Sequence, residues 1–117
     1  MPGKAAEVVV KLLHNKDCHI WEKALEVTTD VLEDEGLQYE LIEDLIETEE
    51  EAISKGFSGS PQVKINGQDV DPDAGDITNY NVEGCRLYLY EGEVYEYPPR
   101  GMILDFLRKI RRKNEKG

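Results

Sequence analysis

Apolar and polar positions follow changing periods along the chain, and each period predicts an element. Val8, Val9, Val10, Leu12 and Leu13 form a short apolar run rich in β-branched residues, the pattern of a strand buried on both faces. Trp21, Ala24, Leu25, Thr28, Val31 and Leu32 then recur at spacings of three and four, one face of a helix, with Gly36 as its stop signal. Leu37, Tyr39 and Leu41 alternate with Gln38 and Glu40, so a second strand begins there. The interval between the strands suits a crossover helix, which predicts a right-handed parallel βαβ unit. Thr48 and Glu51 have capping-box spacing ahead of Ala52 and Ile53, and Gly56 ends that short helix.

The second half reads as hairpins and a last helix. Phe57 to Pro61 is a loop, Gln62 to Ile65 a strand, Asn66-Gly67 a hairpin turn, and Gln68 to Val70 the returning strand. Asp71 to Gly84 is rich in Asp, Gly and Asn and reads as a long loop, of a length that is usually functional or mobile. In the hairpin that follows, Cys85, Leu87 and Leu89 fall on one side and Arg86, Tyr88 and Tyr90 on the other, with Glu91-Gly92 at the turn and Val94, Tyr95 and Tyr97 returning. The apolar side is expected to face inward, which makes Cys85 a buried core thiol. The tyrosines are expected to form cross-strand pairs. A final helix from Pro99 or Arg100 carries Met102, Ile103, Phe106, Leu107 and Ile110 on one face, and residues 113–117 read as a disordered tail.

Charge narrows the classes of partner. The chain of 117 residues has net charge −11 and 33% charged residues, against about 25% in an average domain. Such a balance argues against nonspecific nucleic-acid or anionic-membrane binding. The basic end, from Arg108 through Lys116, reads as cations complementing a helix C-terminus. The opening residues lack the apolar core of a signal peptide, no run reaches the ~20 apolar residues of a membrane span, and a cytoplasmic protein is expected. The 2 cysteines are too few for a disulfide scaffold and more in keeping with free, catalytic or metal-binding thiols.

Candidate chemistry centres on Cys18, where the first strand gives way to the first helix. Unpaired amides and the positive end of the helix dipole favour a thiolate there. His19 adds positive charge when protonated, whereas Asp17, read as the helix N-cap, works against a second negative charge. The plainer alternative is a small buried residue. His14, Cys18, His19 and Cys85 are ligand types for zinc or copper, but their spacing repeats no metal pattern, so no metal and no cofactor are expected. The many acids between Glu33 and Glu51 read as solvated faces.

The ordered set of features resembles the thioredoxin-like superfamily, and most of all its glutaredoxin-type members. The matching residues are Cys18 before a helix, Ser60-Pro61 before a strand, and the segment from Val63 to Val70 with its Asn66-Gly67 turn. The resemblance implies an α/β fold: one thioredoxin-like domain over residues 1–117, with a mixed central sheet, helices on both faces, the Cys18 strand in the middle and an inserted segment, 71–97, that carries the second hairpin. It also implies a cis Pro61 facing the cysteine, and a Ser60 whose backbone groups hold an extended substrate by strand-like pairing. One departure matters. Cys18-His19-Ile20-Trp21 has Trp21 where dithiol members carry a second cysteine, so the usual resolving thiol is missing.

Two functions follow as expectations. In the first, the chain is a monothiol-like thiol–disulfide oxidoreductase. Cys18 is its nucleophile, Cys85 a distant resolving thiol, and Ser60, Pro61, His19 and Trp21 bind a thiol or disulfide substrate. In the second, it is a non-catalytic thioredoxin-like module that binds a protein partner through the 71–97 insert.

Overall fold

The first strand, β1 (Val8–His14), is the axis of the molecule. The computed structural model describes residues 7–77 and 79–116, with side chains as far as Arg111 in the last helix. β1 is followed by α1 (Trp21–Asp34), β2 (Tyr39–Leu45), α2 (Glu49–Lys55), β3 (Gln62–Ile65), β4 (Gln68–Asp69), the short strands β5 (Tyr88–Tyr90) and β6 (Glu93–Tyr95), and α3 (Arg100–Lys116). The main sheet has the order β2-β1-β3-β4. β2 runs parallel to β1, and β3 antiparallel to it, so the sheet is mixed. The parallel pair is joined through α1, as the spacing of the two apolar runs predicts.

Alternation along β1 feeds two cores. Val8, Val10 and Leu12 point to one face, where Val63 and Ile65 of β3 join Ala24, Val31 and Leu32 of α1 and Met102, Ile103, Phe106 and Leu107 of α3. Leu13 points to the other face and meets Ile46, Ala52 and Phe57 beneath α2. Helices therefore cover both faces, and the middle strand is buried from both sides at its C-terminal end, while Val9 stays exposed and Lys11 half-buried nearer its start. β2 is an edge strand, and Leu41, Ile42 and Leu45 remain partly in solvent.

Local signals account for the element ends. The Thr48 side chain accepts a hydrogen bond from the Glu51 amide at 3.1 Å, which caps α2, and Gly56 ends it in the left-handed conformation at φ 67°. Asn66-Gly67 takes positive φ at both residues, the demand of a tight two-residue hairpin. Two expectations need correction. Asp17 does not cap α1: the N-cap is Ile20, with no side-chain hydrogen bond. A turn closed by the Cys18 amide on the Asn15 carbonyl at 3.4 Å intervenes, so Cys18 lies two residues ahead of the cap rather than at the first turn. At the far end, the backbone is helical through the segment read as a tail from 113, as far as Lys116, because no breaker precedes Gly117. One cation of the basic end meets another helix's end: Arg111 donates to the Glu35 carboxylate at 3.0 Å and to the Glu35 carbonyl at 3.1 Å, at the close of α1.

The inserted hairpin lies opposite to expectation. Tyr88 is wholly buried in the main core and Arg86 is 4% exposed, whereas Leu87, Leu89 and Val94 are 63%, 60% and 64% exposed. Cys85 is exposed too, so it is not a core thiol. The reason is specific pairing. Arg86 reaches Asp69 at 2.8 Å and Asp71 at 3.3 Å, and its guanidinium lies 4.9 Å from the Tyr88 ring centre. Burial opposes the charge on Arg86, but Tyr88, Asp69 and Asp71 outweigh it and keep the group protonated. The Tyr88 hydroxyl donates to the Pro61 carbonyl at 2.5 Å. Tyr88 and Tyr95 do form a cross-strand pair.

Burial pushes the Tyr88 hydroxyl well above the ordinary tyrosine range. The folded chain therefore keeps this proton where the unfolded chain releases it. Stability from this group is complete below about pH 10 and is lost progressively as pH rises above that value. Urea unfolding at a series of alkaline pH values is expected to show this fall, and Tyr88→Phe to flatten it. At neutral pH the same variant leaves the Pro61 carbonyl unpaired, a cost of about 1–3 kcal/mol.

Candidate functional site

Register brings three distant segments to one end of the sheet. Leu13, near the C-terminal end of β1, is paired with Gln62 at the start of β3. The turn bearing Cys18 therefore leaves the sheet beside the Gly59-Ser60-Pro61 loop. The Ser60–Pro61 peptide bond is cis. The third segment comes from the insert. The Ser60 amide donates to the Gly84 carbonyl at 2.9 Å, and the Arg86 amide donates to the Ser60 carbonyl at 3.1 Å. Ser60 and Cys85 thus form a one-residue parallel bridge.

Two glycines make this approach feasible. A Cβ on Gly59 would stand 2.9 Å from the Arg86 nitrogen and from the Cys85 carbonyl carbon. A Cβ on Gly84 would stand 2.9 Å from the Ser58 carbonyl oxygen. At Gly59 backbone meets backbone with no side chain between, and at Gly84 the Asn81 side chain also closes in, 2.8 Å from where the Cβ would stand, a use of glycine that the sequence does not announce.

Asn15 ties the three segments together. Its amide donates to the Ser60 hydroxyl at 3.2 Å, and its side-chain NH₂ donates to the Val82 carbonyl at 3.0 Å and the Gly84 carbonyl at 3.3 Å. Asn15 is buried at 7% exposure and its bond to Ser60 is shielded from water, while its bonds to Val82 and Gly84 are part-buried. No local pattern in the sequence marks Asn15 as a clamp.

A hollow of about 270 Å³ opens at this junction, bordered by Cys18, His19, Ser60, Cys85, Leu87 and Glu96 among others. Both cysteines are free thiols, Cys18 half-buried and Cys85 exposed. Of the remaining sequence candidates, Pro61 is buried beneath the site and holds Tyr88 through its carbonyl. Trp21 does not border the hollow. Its ring stacks on His14 with centroids 4.3 Å apart and planes 8° apart, and it packs against the main core. The opposite edge of His14 meets the Glu43 carboxylate at 2.7 Å. A substrate role for Trp21 therefore finds no geometry here. Ser60 also differs from expectation, because both of its backbone groups are already taken by Gly84 and Arg86.

Arg86 was not among the sequence candidates, yet it borders the hollow and anchors the strand that carries Cys85. Its Nε is buried and unpaired. Among the described residues, no group of three or more His, Cys, Asp or Glu side chains converges as a metal site would require. A larger hollow of about 410 Å³ lies between the 68–75 segment and α3. Neither cysteine borders it, and its acids are engaged elsewhere: Asp71 holds Arg86, and Asp105 accepts from the Tyr90 hydroxyl at 2.8 Å. No described helix is long and apolar enough to cross a membrane.

The site thus belongs to an α/β protein with two free thiols gathered at the end of a mixed sheet. By sequence the chain belongs to the family described as domain of unknown function DUF2703, whose model matches residues 14–106. That span takes in both cysteines, the Ser60-Pro61 loop and the first turns of the last helix. No curated protein and no solved structure matches the chain.

Two substitutions test how the junction is held. Asn15→Ala removes a donor from the part-buried Val82 and Gly84 carbonyls, of which only Gly84 keeps another, from the Ser60 amide, and is expected to cost about 1–3 kcal/mol. Gly59→Ala forces the 84–86 strand outward and is expected to cost a similar 1–3 kcal/mol through overpacking. In both variants, hydrogen exchange at the Ser60 and Arg86 amides is expected to accelerate more than exchange in β1. Equal acceleration everywhere would place the loss in the fold as a whole rather than in the junction.

Proposed function

We propose that the chain is a thioredoxin-like thiol–disulfide oxidoreductase of the glutaredoxin type, with Cys18 as nucleophile and Cys85 as the resolving thiol. The observation that carries the reading is that two free thiols, far apart in sequence, border one hollow, with Cys85 held there by its bridge to Ser60. The element order, the mixed sheet with β1 inside it and the proline loop beside the Cys18 turn support the same reading.

In the first step the Cys18 thiolate attacks one sulfur of a substrate disulfide. The substrate S–S bond breaks, a bond to Cys18 forms, and the departing thiolate takes a proton from water. In the second step the Cys85 thiolate attacks the Cys18 sulfur of this mixed disulfide. The second half of the substrate leaves as a thiol, and a Cys18–Cys85 disulfide remains. Two electrons have then passed from the chain to the substrate, and an external thiol reductant must return them. Cys85 fills the role that Trp21 cannot.

The position of Cys18 tempers its activation. It precedes the α1 cap by two residues, and the dipole effect falls off within a turn. The lack of a side-chain cap leaves the first-turn amides unclaimed by any side chain, which favours a nearby anion. His19 is exposed at the rim and adds positive charge when protonated.

A second reading, a binding module without thiol chemistry, draws support from the exposed Leu87, Leu89 and Val94 beside the hollow. Oxidation with hydroxyethyl disulfide separates the two. The oxidoreductase is expected to yield a monomer two hydrogens lighter, with the Cys18 and Cys85 peptides linked in mass spectrometry. Cys85→Ser is expected to trap the mixed disulfide on Cys18, and Cys18→Ser to abolish turnover. Two free thiols after oxidation, or full turnover in Cys18→Ser, would leave only the binding module.

A further inference from the structure

The backbone groups of Ser60 that would pair with an extended ligand are filled by the chain itself. Recognition must therefore lie further out, on the far side of the segment that fills them. Three observations describe that side. First, Leu87, Leu89 and Val94 stand together on the outer face of the β5–β6 hairpin, with Leu89 directly opposite Val94. The inner face of the same hairpin is committed to the core through Tyr88. The apolar stripe cannot turn inward without expelling the buried Arg86 and Tyr88. Secondly, strand geometry directs alternate backbone groups to opposite edges. The Gly84 carbonyl and the Arg86 amide face Ser60, so the Cys85 N–H and C=O face away from it. They have no backbone partner among the described residues, and Cys85 itself is exposed. Thirdly, the stripe is rimmed by exposed acids, Glu83, Glu91 and Glu96. The single cation between 71 and 99 is Arg86, which is buried and paired.

We propose that the open edge at Cys85 and the Leu87–Leu89–Val94 stripe form a docking surface for an extended, positively charged polypeptide segment. The segment adds a strand at Cys85, lays its apolar side chains on the stripe and sets its cations against the glutamates. Main-chain pairing supplies affinity, the apolar contacts fix the register, and the acidic rim selects the sign of the partner. The docking stands apart from thiol chemistry. That a bound segment also delivers a sulfur to Cys18 rests on the oxidoreductase reading above.

The test uses the reduced full-length chain and two cysteine-free ten-residue peptides, one alternating Leu with Arg, the other Leu with Glu. The Arg peptide is expected to bind at least tenfold more tightly, to weaken as salt is raised, and to slow hydrogen exchange at the Cys85 and Leu87 amides. Leu89→Ser combined with Val94→Ser is expected to weaken binding at least tenfold, with an unchanged circular dichroism spectrum. Equal affinities for the two peptides, binding of neither, or protection confined to the β2 edge overturns the proposal, and these readouts need no variant.

A second pair of peptides carries one central cysteine as a mixed disulfide with thionitrobenzoate. Attack of Cys18 on the peptide sulfur breaks that S–S bond, leaves the peptide on Cys18 and releases thionitrobenzoate as a coloured anion. Docking of the Arg peptide without release retains the surface and removes the redox reading. Release at equal rates from both peptides retains the redox reading and overturns the delivery of sulfur to Cys18 by a docked segment.

Discussion

A buried guanidinium sets the arrangement of the second half of the chain. Arg86 cannot be dehydrated without partners, and Asp69 and Asp71, at the end of the β3–β4 hairpin, supply them. Once that triad closes, strand alternation does the rest. Arg86 and Tyr88 point inward, while Cys85, Leu87 and Leu89 point outward. The insert is thereby fastened to the main sheet by polar contacts, with Tyr88 as the apolar plug beneath them. Removing Arg86 leaves two carboxylates at the junction without their cation.

The same constraint joins structure to chemistry. With Arg86 fixed, Gly84 and Cys85 must run alongside Ser60, and the two glycines at 59 and 84 let the backbones meet. A thiol from the insert thus borders the same hollow as a thiol from the β1–α1 turn, without any sequence motif to link them. The second thiol lies 67 residues downstream of Cys18, so no local spacing relates the two.

Much of the main sheet is legible in the sequence because its signals are local. The three- and four-residue spacing from Trp21 to Leu32, the Thr48–Glu51 box and the Asn66-Gly67 turn each act within a few residues. The orientation of the β5–β6 hairpin is not legible. A period of two defines two faces but does not say which one is buried, and hydrophobicity alone points to the leucines. The deciding partners, Asp69 and Asp71, lie 17 and 15 residues from Arg86. Asn15 is hidden for a similar reason: its acceptors, Val82 and Gly84, are 67 and 69 residues away. Asp17 fails as a cap because the turn at Cys18 adds two residues before the helix, and side-chain type does not reveal where a helix begins.

The stack of His14 on Trp21 has an optical consequence. The chain contains 1 tryptophan, and its indole lies flat on an imidazole at the end of β1. The segment bearing Cys18 is the only covalent link between the two rings. Any movement that slides one ring off the other changes the surroundings of the sole indole, so its emission is a built-in reporter on this loop. The molecule carries its own fluorophore a few residues from the sulfur of interest, and no label has to be attached to follow it.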